Sequence, residues 1–317
     1  MSENFTIEKI YFLKLNNLMF FLKEDKINLS EEVKRMFPKE KLVRLRSSGN
    51  SELFISDKKV IKYLPKDYFK PYLRNYNLLK RRTDIRLPEL LGTRKSKILD
   101  NYMVIMRKNE GDLLEDVWEN FSIEKKELIL KKMTLLLKKI NSISLNPRNV
   151  SKSLVFFSRG LKWKEEVRWF CLTKLNKYKE KGLIKKNLHD SLLSILDKNI
   201  GYITDIDYVL LHNDLHFRNI LINQNLDLTL LFDFETFSIG DKYLDLIITG
   251  SFLREKYQKM LFDFYGRSEN FEEISKVYRL IMSINFFKKV NIKEGQEVIR
   301  FIEKGFPFFN FEPKKEL

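Results

Sequence analysis

Apolar positions along this chain follow two rhythms, and the change between them falls near residue 110. Ile7, Ile10, Tyr11 and Leu18 recur at helical spacing, which predicts a helix close to the start. Ser30 reads as the opening of a short second helix that ends near Phe37-Pro38. From 41 to 64 the rhythm shortens. Leu42, Val43 and Leu45 alternate in part with Arg44 and Arg46, and Leu53-Phe54-Ile55 and Val60-Ile61-Lys62-Tyr63-Leu64 follow, separated by a turn at Ser56-Asp57-Lys58. That pattern predicts three short antiparallel strands. A helix over 68–82 and two strands within 90–106, the second at Tyr102-Met103-Val104-Ile105-Met106, complete the β-rich part.

Beyond Gly111 the pattern is mainly helical. Ser122 is placed to cap a helix whose apolar face includes Ile129, Met133, Leu136, Leu137 and Ile140, and Pro147 ends that region. Helices are predicted near 160–181 and 188–199. Tyr208-Val209-Leu210-Leu211 reads as a buried strand, and a second strand from Leu228 to Phe234 delivers Asp233 at its end. Asn270 and Glu273 form a capping box before Phe271, Ile274, Val277, Ile281 and Ile284. The predicted class is α+β and two-lobed, with a helical extension over 1–38, a small antiparallel-sheet N-lobe over 39–108 and a large, mainly helical C-lobe over 109–317.

Composition narrows the function classes. A single cysteine, Cys171, excludes a disulfide framework and agrees with a cytoplasmic home. No apolar run approaches the roughly 20 residues of a membrane span, and Glu3 and Glu8 spoil the basic start of a signal peptide. The net charge of +16 has two explanations. An anionic partner, nucleic acid included, is one. The other is coding bias: the chain has no alanine and is rich in Lys, Asn, Ile and Phe. The charge is interspersed with Glu, as on solvated helix faces, which weighs against nucleic acid. Oligomeric state leaves no sequence signal.

The chemistry concentrates in His212-Asn213-Asp214-Leu215-His216-Phe217-Arg218-Asn219, followed fourteen residues later by Asp233-Phe234-Glu235. Asp214 and Asn219 lie five apart in a polar loop between two apolar runs. Such a loop can aim a carboxylate at an acceptor hydroxyl and an amide oxygen at a metal ion. Asp233 follows Leu230-Leu231-Phe232, where a carboxylate is costly unless it meets a cation, and Mg²⁺ is the expected one. Lys62 sits inside an apolar strand and is either a functional cation or an edge-strand lysine facing water. Gly49, with Ser47, Ser48 and Ser51, can form a phosphate-covering loop or an ordinary hairpin turn. His189 and His216 lack the spacing of a zinc site. Trp163, Trp169 and Phe170 read as core packing, with a substrate-stacking wall as the alternative.

His-Asn-Asp-Leu-(x)₄-Asn, Asp-Phe-Glu, then Gly240-Asp241 and Asp245 resemble the aminoglycoside phosphotransferase / choline kinase superfamily, whose fold is protein-kinase-like. The similarity is strong over 205–250 and weaker over 41–115, through the strand pattern, Leu87-Pro88-Glu89-Leu90-Leu91-Gly92 and a hinge-like Met106 to Gly111. The resemblance implies Asp214 as catalytic base, Asn219 and Asp233 as Mg²⁺ ligands, and His212 and Asp245 as braces of the catalytic loop. It implies Lys62 on the nucleotide's α- and β-phosphates, Ser48 and Gly49 over them, and a hinge at Met106 and Lys108 offering backbone groups to adenine. Such a hinge does not distinguish ATP from GTP. One departure stands out: between Asp67 and Asp84 no acidic residue is present to hold Lys62, and Asn75 stands about where one belongs, so a neutral side chain or an acid from elsewhere in the chain positions Lys62, or the nucleotide site is altered.

The expected activity is an ATP- and Mg²⁺-dependent phosphotransfer to a hydroxyl of a small molecule. Residues 146–204, expected to help build the acceptor site, hold thirteen Lys/Arg against five Asp/Glu. A polycationic aminoglycoside wants carboxylates, so a sugar, nucleoside or anionic metabolite suits the charge better. Asp-Phe-Glu leans towards choline- and ethanolamine-type kinases, with Glu235 in the site. Two other classes stay open: a catalytically weak kinase-fold binding protein, and a protein- or RNA-associated kinase. The last lacks a Gly-rich triplet and a His-Arg-Asp motif.

Overall fold

The computed structural model describes residues 23–45, 51–98, 100–147, 162–286 and 295–305. The helix expected around Ile7–Leu18, and Ser48 and Gly49, lie outside the described residues. The chain divides into two compact units, one reaching to Val117 and regaining Arg218–Thr236, the other formed by Trp118–Phe217 and the residues from Phe237 onward.

The first unit holds helix α1 (Lys23–Met36) and strands β1 (Val43–Leu45), β2 (Glu52–Ile55), β3 (Lys59–Pro65), β4 (Leu90–Lys95) and β5 (Asn101–Arg107). The strands form one antiparallel sheet in the order β1-β2-β3-β5-β4. Period-2 alternation decides its two faces. Ile61 and Tyr63 of β3 pack with Phe54, Met103, Leu29 and Val33 under α1, so Lys62 points to the other face. Helix α1 begins before Ser30, earlier than its sequence suggests. Leu29 and Val33, one turn apart, are both fully buried against the sheet, and that packing outweighs a capping preference at Ser30.

Helix α2 (Lys66–Arg82) buries Tyr68, Tyr72, Asn75, Tyr76 and Leu79, a single stripe at helical spacing. Strand β6 (Asp112–Leu113), the one-turn helix α3 (Leu114–Val117) and the hairpin β8 (Ile220–Ile222)–β9 (Leu228–Leu231) complete the unit. Gly111, at φ +125°, passes so close to this hairpin that a Cβ would lie 2.9 Å from the Ile222 carbonyl oxygen.

The second unit is mainly helical, with α4 (Ile123–Asn141), α5 (Trp163–Glu180), α6 (Lys186–Asn199), α7 (Lys242–Gly250), α8 (Glu255–Tyr265), α9 (Phe271–Phe286) and α10 (Gly295–Lys304). Ser122 caps α4 as expected, its hydroxyl accepting from the Lys125 N–H. A two-stranded ribbon, β7 (Val209–Leu211) with β10 (Ser238–Gly240), lies among the helices. Trp163 is buried and Trp169 is 39% exposed, so only the first is a core residue. The Trp163 indole N–H donates to Tyr278 at 2.9 Å, and the Tyr278 hydroxyl donates to Asp241, which caps α7. Both ring nitrogens of buried His189 are engaged, by Asn176 and Asp190. Cys171 is buried and its thiol pKa is pushed well up by burial, which leaves it unreactive. Among the described residues no helix is long and apolar enough to cross a membrane.

The Trp163 ring approaches the ribbon at Gly240, where a Cβ would meet that ring at 2.5 Å and Leu211 at 3.0 Å. Gly240→Ala is therefore expected to cost about 1–3 kcal/mol of stability. A lower urea midpoint at unchanged slope would register it.

Candidate active site

In the first unit the side chain of Lys62 reaches a carboxylate pair. Its ammonium donates to Asp233 and, at 2.6 Å, to Glu235 Oε1. The Tyr72 ring lies 5.7 Å from the same nitrogen. Burial alone would depress the Lys62 pKa, but the Asp233 and Glu235 carboxylates outweigh it and hold the ammonium above the ordinary lysine value. Lys62 is thus no edge-strand residue facing water.

Asp233 is not the end of a strand. Strand β9 stops at Leu231, Asp233 takes the left-handed φ of +68°, and Phe234–Thr236 forms a 3-10 turn. Asp tolerates that region better than most residues. The kink ends the ladder and turns the carboxylate to Lys62. Phe232 N–H donates to the Asn219 carbonyl at 2.9 Å, so Asn219 and Asp233 flank the same end of the β8–β9 hairpin. Their side-chain oxygens are hard donors that suit Mg²⁺, and the ammonium on Asp233 marks it as a position for a cation. Met106 is buried at the end of β5, with the Tyr72 hydroxyl directed at its sulfur at 3.3 Å. The Lys108 N–H extends the sheet by donating to the Lys58 carbonyl at 2.9 Å, and its side chain is exposed.

In the second unit the loop after β7 is held from below. Fully buried Asp245, in the first turn of α7, accepts the His212 and Asn213 backbone N–H groups, each at 2.8 Å. Asn141 donates to the same carboxylate at 3.2 Å and to the Leu210 carbonyl at 2.9 Å, while its own oxygen accepts from Tyr265 at 2.8 Å. Asn213 takes a left-handed φ of +62° and donates to Ser238 at 2.8 Å. The Asp214 N–H donates to His212 Nδ1 at 3.3 Å, which leaves the imidazole proton on Nε2. The Asp214 carboxylate stays partly exposed, 3.6 Å from His216 Nε2. Thus His212, Asp245 and Asp214 are brought together in one unit, and Lys62, Asn219 and Asp233 in the other.

Sequence reasoning missed Asn141, Ser238 and Tyr265, and it missed that Glu235 meets Lys62. Asn141 bonds to groups 69 and 104 residues away, a separation that leaves no local signal. For Glu235 the missing acid in α2 was the available clue.

Burial raises the Asp245 pKa to about 6, and its three hydrogen bonds offset only part of that. The native state then binds this proton more tightly than the unfolded chain, whose aspartate titrates near 3.8. Stability from this group falls as pH rises from about 4 to about 6 and is flat above. Asp245→Asn, which cannot titrate, removes that dependence. The wild type should lose stability relative to the variant across this window, measured by denaturation at each pH.

A small antiparallel-sheet unit carrying a lysine–carboxylate pair, with a helical unit carrying a braced His-Asn-Asp loop, is the organisation of a protein-kinase-like phosphotransferase. The sequence profile of the phosphotransferase enzyme family matches residues 61–277, and the chain belongs to that family. Comparison with curated proteins gives no match. Among solved structures, ADP-bound aminoglycoside phosphotransferase APH(2'')-Ib aligns with a TM-score of 0.64 at 17% identity, over 87% of this chain and 98% of its own. The GDP complex of wild-type aminoglycoside 2'-phosphotransferase-IIIa gives 0.63 at 15%, over 89% and 99%. The streptomycin–ATP–APH(2")-IIa ternary complex gives 0.61 at 16%, over 87% and 97%. At these identities the likeness speaks for the fold.

Proposed function

We propose that this chain moves the γ-phosphoryl group of ATP to a hydroxyl of a small molecule, with Mg²⁺ as cofactor. The observation that carries the reading is Lys62, a buried lysine paired with Asp233 in the unit that also holds Asn219. A buried ammonium beside a carboxylate and an amide oxygen suits polyphosphate with its cation. Lys62 binds the α- and β-phosphates. Asp233 and Asn219 would hold Mg²⁺, which when bound neutralises phosphate charge. Met106 and Lys108 border the adenine site, and Ser48 and Gly49 belong to the loop over the phosphates.

Asp214 orients the acceptor hydroxyl and takes its proton as the oxygen–phosphorus bond forms, the bond to the β-phosphate oxygen breaks and ADP leaves. His212 and Asp245 keep the loop backbone in place, so that Asp214 need not be ordered at each turnover. A nucleotide-dependent reaction of this kind belongs in the cytoplasm.

GTP is the alternative donor, since solved members of the fold include a GDP complex. For the acceptor, streptomycin is bound by one solved relative. The thirteen basic residues against five acidic over 146–204 favour a neutral or anionic hydroxyl compound over a polycation here. The test is a transfer screen with γ-labelled ATP and GTP against aminoglycosides, choline and ethanolamine, nucleosides, sugars and sugar phosphates. Labelled product from one acceptor class is expected. Nucleotide left intact with every class, and no nucleotide binding, would overturn the proposal and favour a non-catalytic binding protein.

A further inference from the structure

Beyond Asp67 in its first turn, helix α2 carries no acid: between Asp67 and Asp84 the sequence has none. In a protein kinase the lysine's partner is a glutamate on the helix that follows its strand, and the pair must be in place for catalysis. We infer that Glu235 has taken over this role, and that α2 acts through Asn75 by clamping the turn that carries Glu235.

The geometry gives the two carboxylates on Lys62 different standing. The side chain of Asp233 is 29% exposed, whereas those of Glu235 and Lys62 are 7% and 9% exposed. Asp233 is open to a metal-bound nucleotide. Glu235 is enclosed with the ammonium, 2.6 Å away. If Mg²⁺ claims Asp233, as the proposed function requires, Glu235 is the acid that stays with Lys62. It then holds the lysine in place, as a partner of a ligand-binding group does elsewhere.

The support of Glu235 comes from α2. The Asn75 amide donates to the Phe234 carbonyl at 2.5 Å, and Asn75 is fully buried. Tyr72 and Tyr76 pack on the Phe234 ring at 5.5 and 6.1 Å. The Tyr76 hydroxyl is itself fixed to the Pro88 carbonyl at 2.9 Å. One stripe of α2 therefore grips the 3-10 turn Phe234–Thr236 by backbone and ring. An acid at position 75 would have no amide to give Phe234. The acid has moved from the helix to the turn, and the helix has kept the clamp.

This inference rests on the proposed nucleotide site, and the test separates the two. Binding of Mg²⁺-nucleotide is measured calorimetrically, with kcat and KM measured separately, for wild type, Glu235→Gln and Glu235→Asp. A double-mutant cycle of Lys62→Met with Glu235→Gln is run on folding stability alone. Glu235→Gln, the same shape without the charge, should weaken Mg²⁺-nucleotide binding and lower kcat by about 10- to 100-fold each. Glu235→Asp should recover part of both. In the cycle, Glu235→Gln should cost less stability when residue 62 is already Met. Glu235→Gln binding nucleotide like wild type would overturn the inference while leaving the proposed function intact. An additive cycle would overturn it through the pairing itself. Wild type failing to bind any nucleotide would remove the proposed site, and the inference with it.

Discussion

Asp214→Ala is expected to lower kcat by about 10²- to 10⁴-fold, the usual contribution of a positioned general base. Nucleotide affinity should stay within about twofold of wild type, since the proposed nucleotide contacts are made by Lys62, Asn219, Asp233, the end of β5 and the Ser48-Gly49 loop, and none by Asp214. The split follows from how the loop is built. Asp245 holds the His212 and Asn213 N–H groups, and His212 holds the Asp214 N–H. None of these bonds uses the Asp214 carboxylate, so the loop keeps its anchors when that side chain is shortened. Folding stability should accordingly change little. The measurement is kcat and KM for the best acceptor, beside calorimetric nucleotide binding. Full turnover in Asp214→Ala would remove the base from the mechanism. A parallel loss of nucleotide binding would mean that the substitution had disturbed more than the acceptor side.

The parts of this fold that could be read in advance are those written in local periodicity. Val60 to Leu64, an apolar run after the turn at Ser56-Asp57-Lys58, is enough to place β3, but whether Lys62 meets a partner or water is settled only by the folded sheet. Ser122 before an apolar stripe gives the start of α4. His212 to Asn219 between two apolar runs gives the polar loop and its chemistry. Long-range effects were not legible. Helix α1 extends past its local start signal because Leu29 meets a sheet formed by residues far down the chain. Asp233 departs from its strand because the left-handed kink turns its carboxylate to Lys62, 171 residues away. The kinase resemblance places the partner of that lysine in the next helix, where sequence distance is short. It lies in a turn 173 residues on, a pairing only the folded chain can make.

Asp233→Asn separates the metal from the fold. Asn accepts the left-handed φ of +68° that position 233 requires, so the backbone is kept and one charge is removed. In the wild type, added Mg²⁺ should tighten ATP binding, and chelation should reverse this. In the variant Mg²⁺ should bring no gain, because a neutral oxygen replaces the one carboxylate proposed to hold it. Metal-free ATP should show the opposite sign. The Asp233 charge repels phosphates and also occupies the Lys62 ammonium, so the variant should bind metal-free ATP at least as tightly as wild type. A merely damaged protein would lose both modes of binding together. Turnover should fall by about 10³-fold or more, since metal stabilisation of a phosphoryl transition state is worth several kcal/mol and each 1.36 kcal/mol is about tenfold. Binding isotherms of both proteins with and without chelator decide the matter. An unchanged Mg²⁺ response in Asp233→Asn would take the ion away from Asp233, and Lys62 would then be its permanent partner.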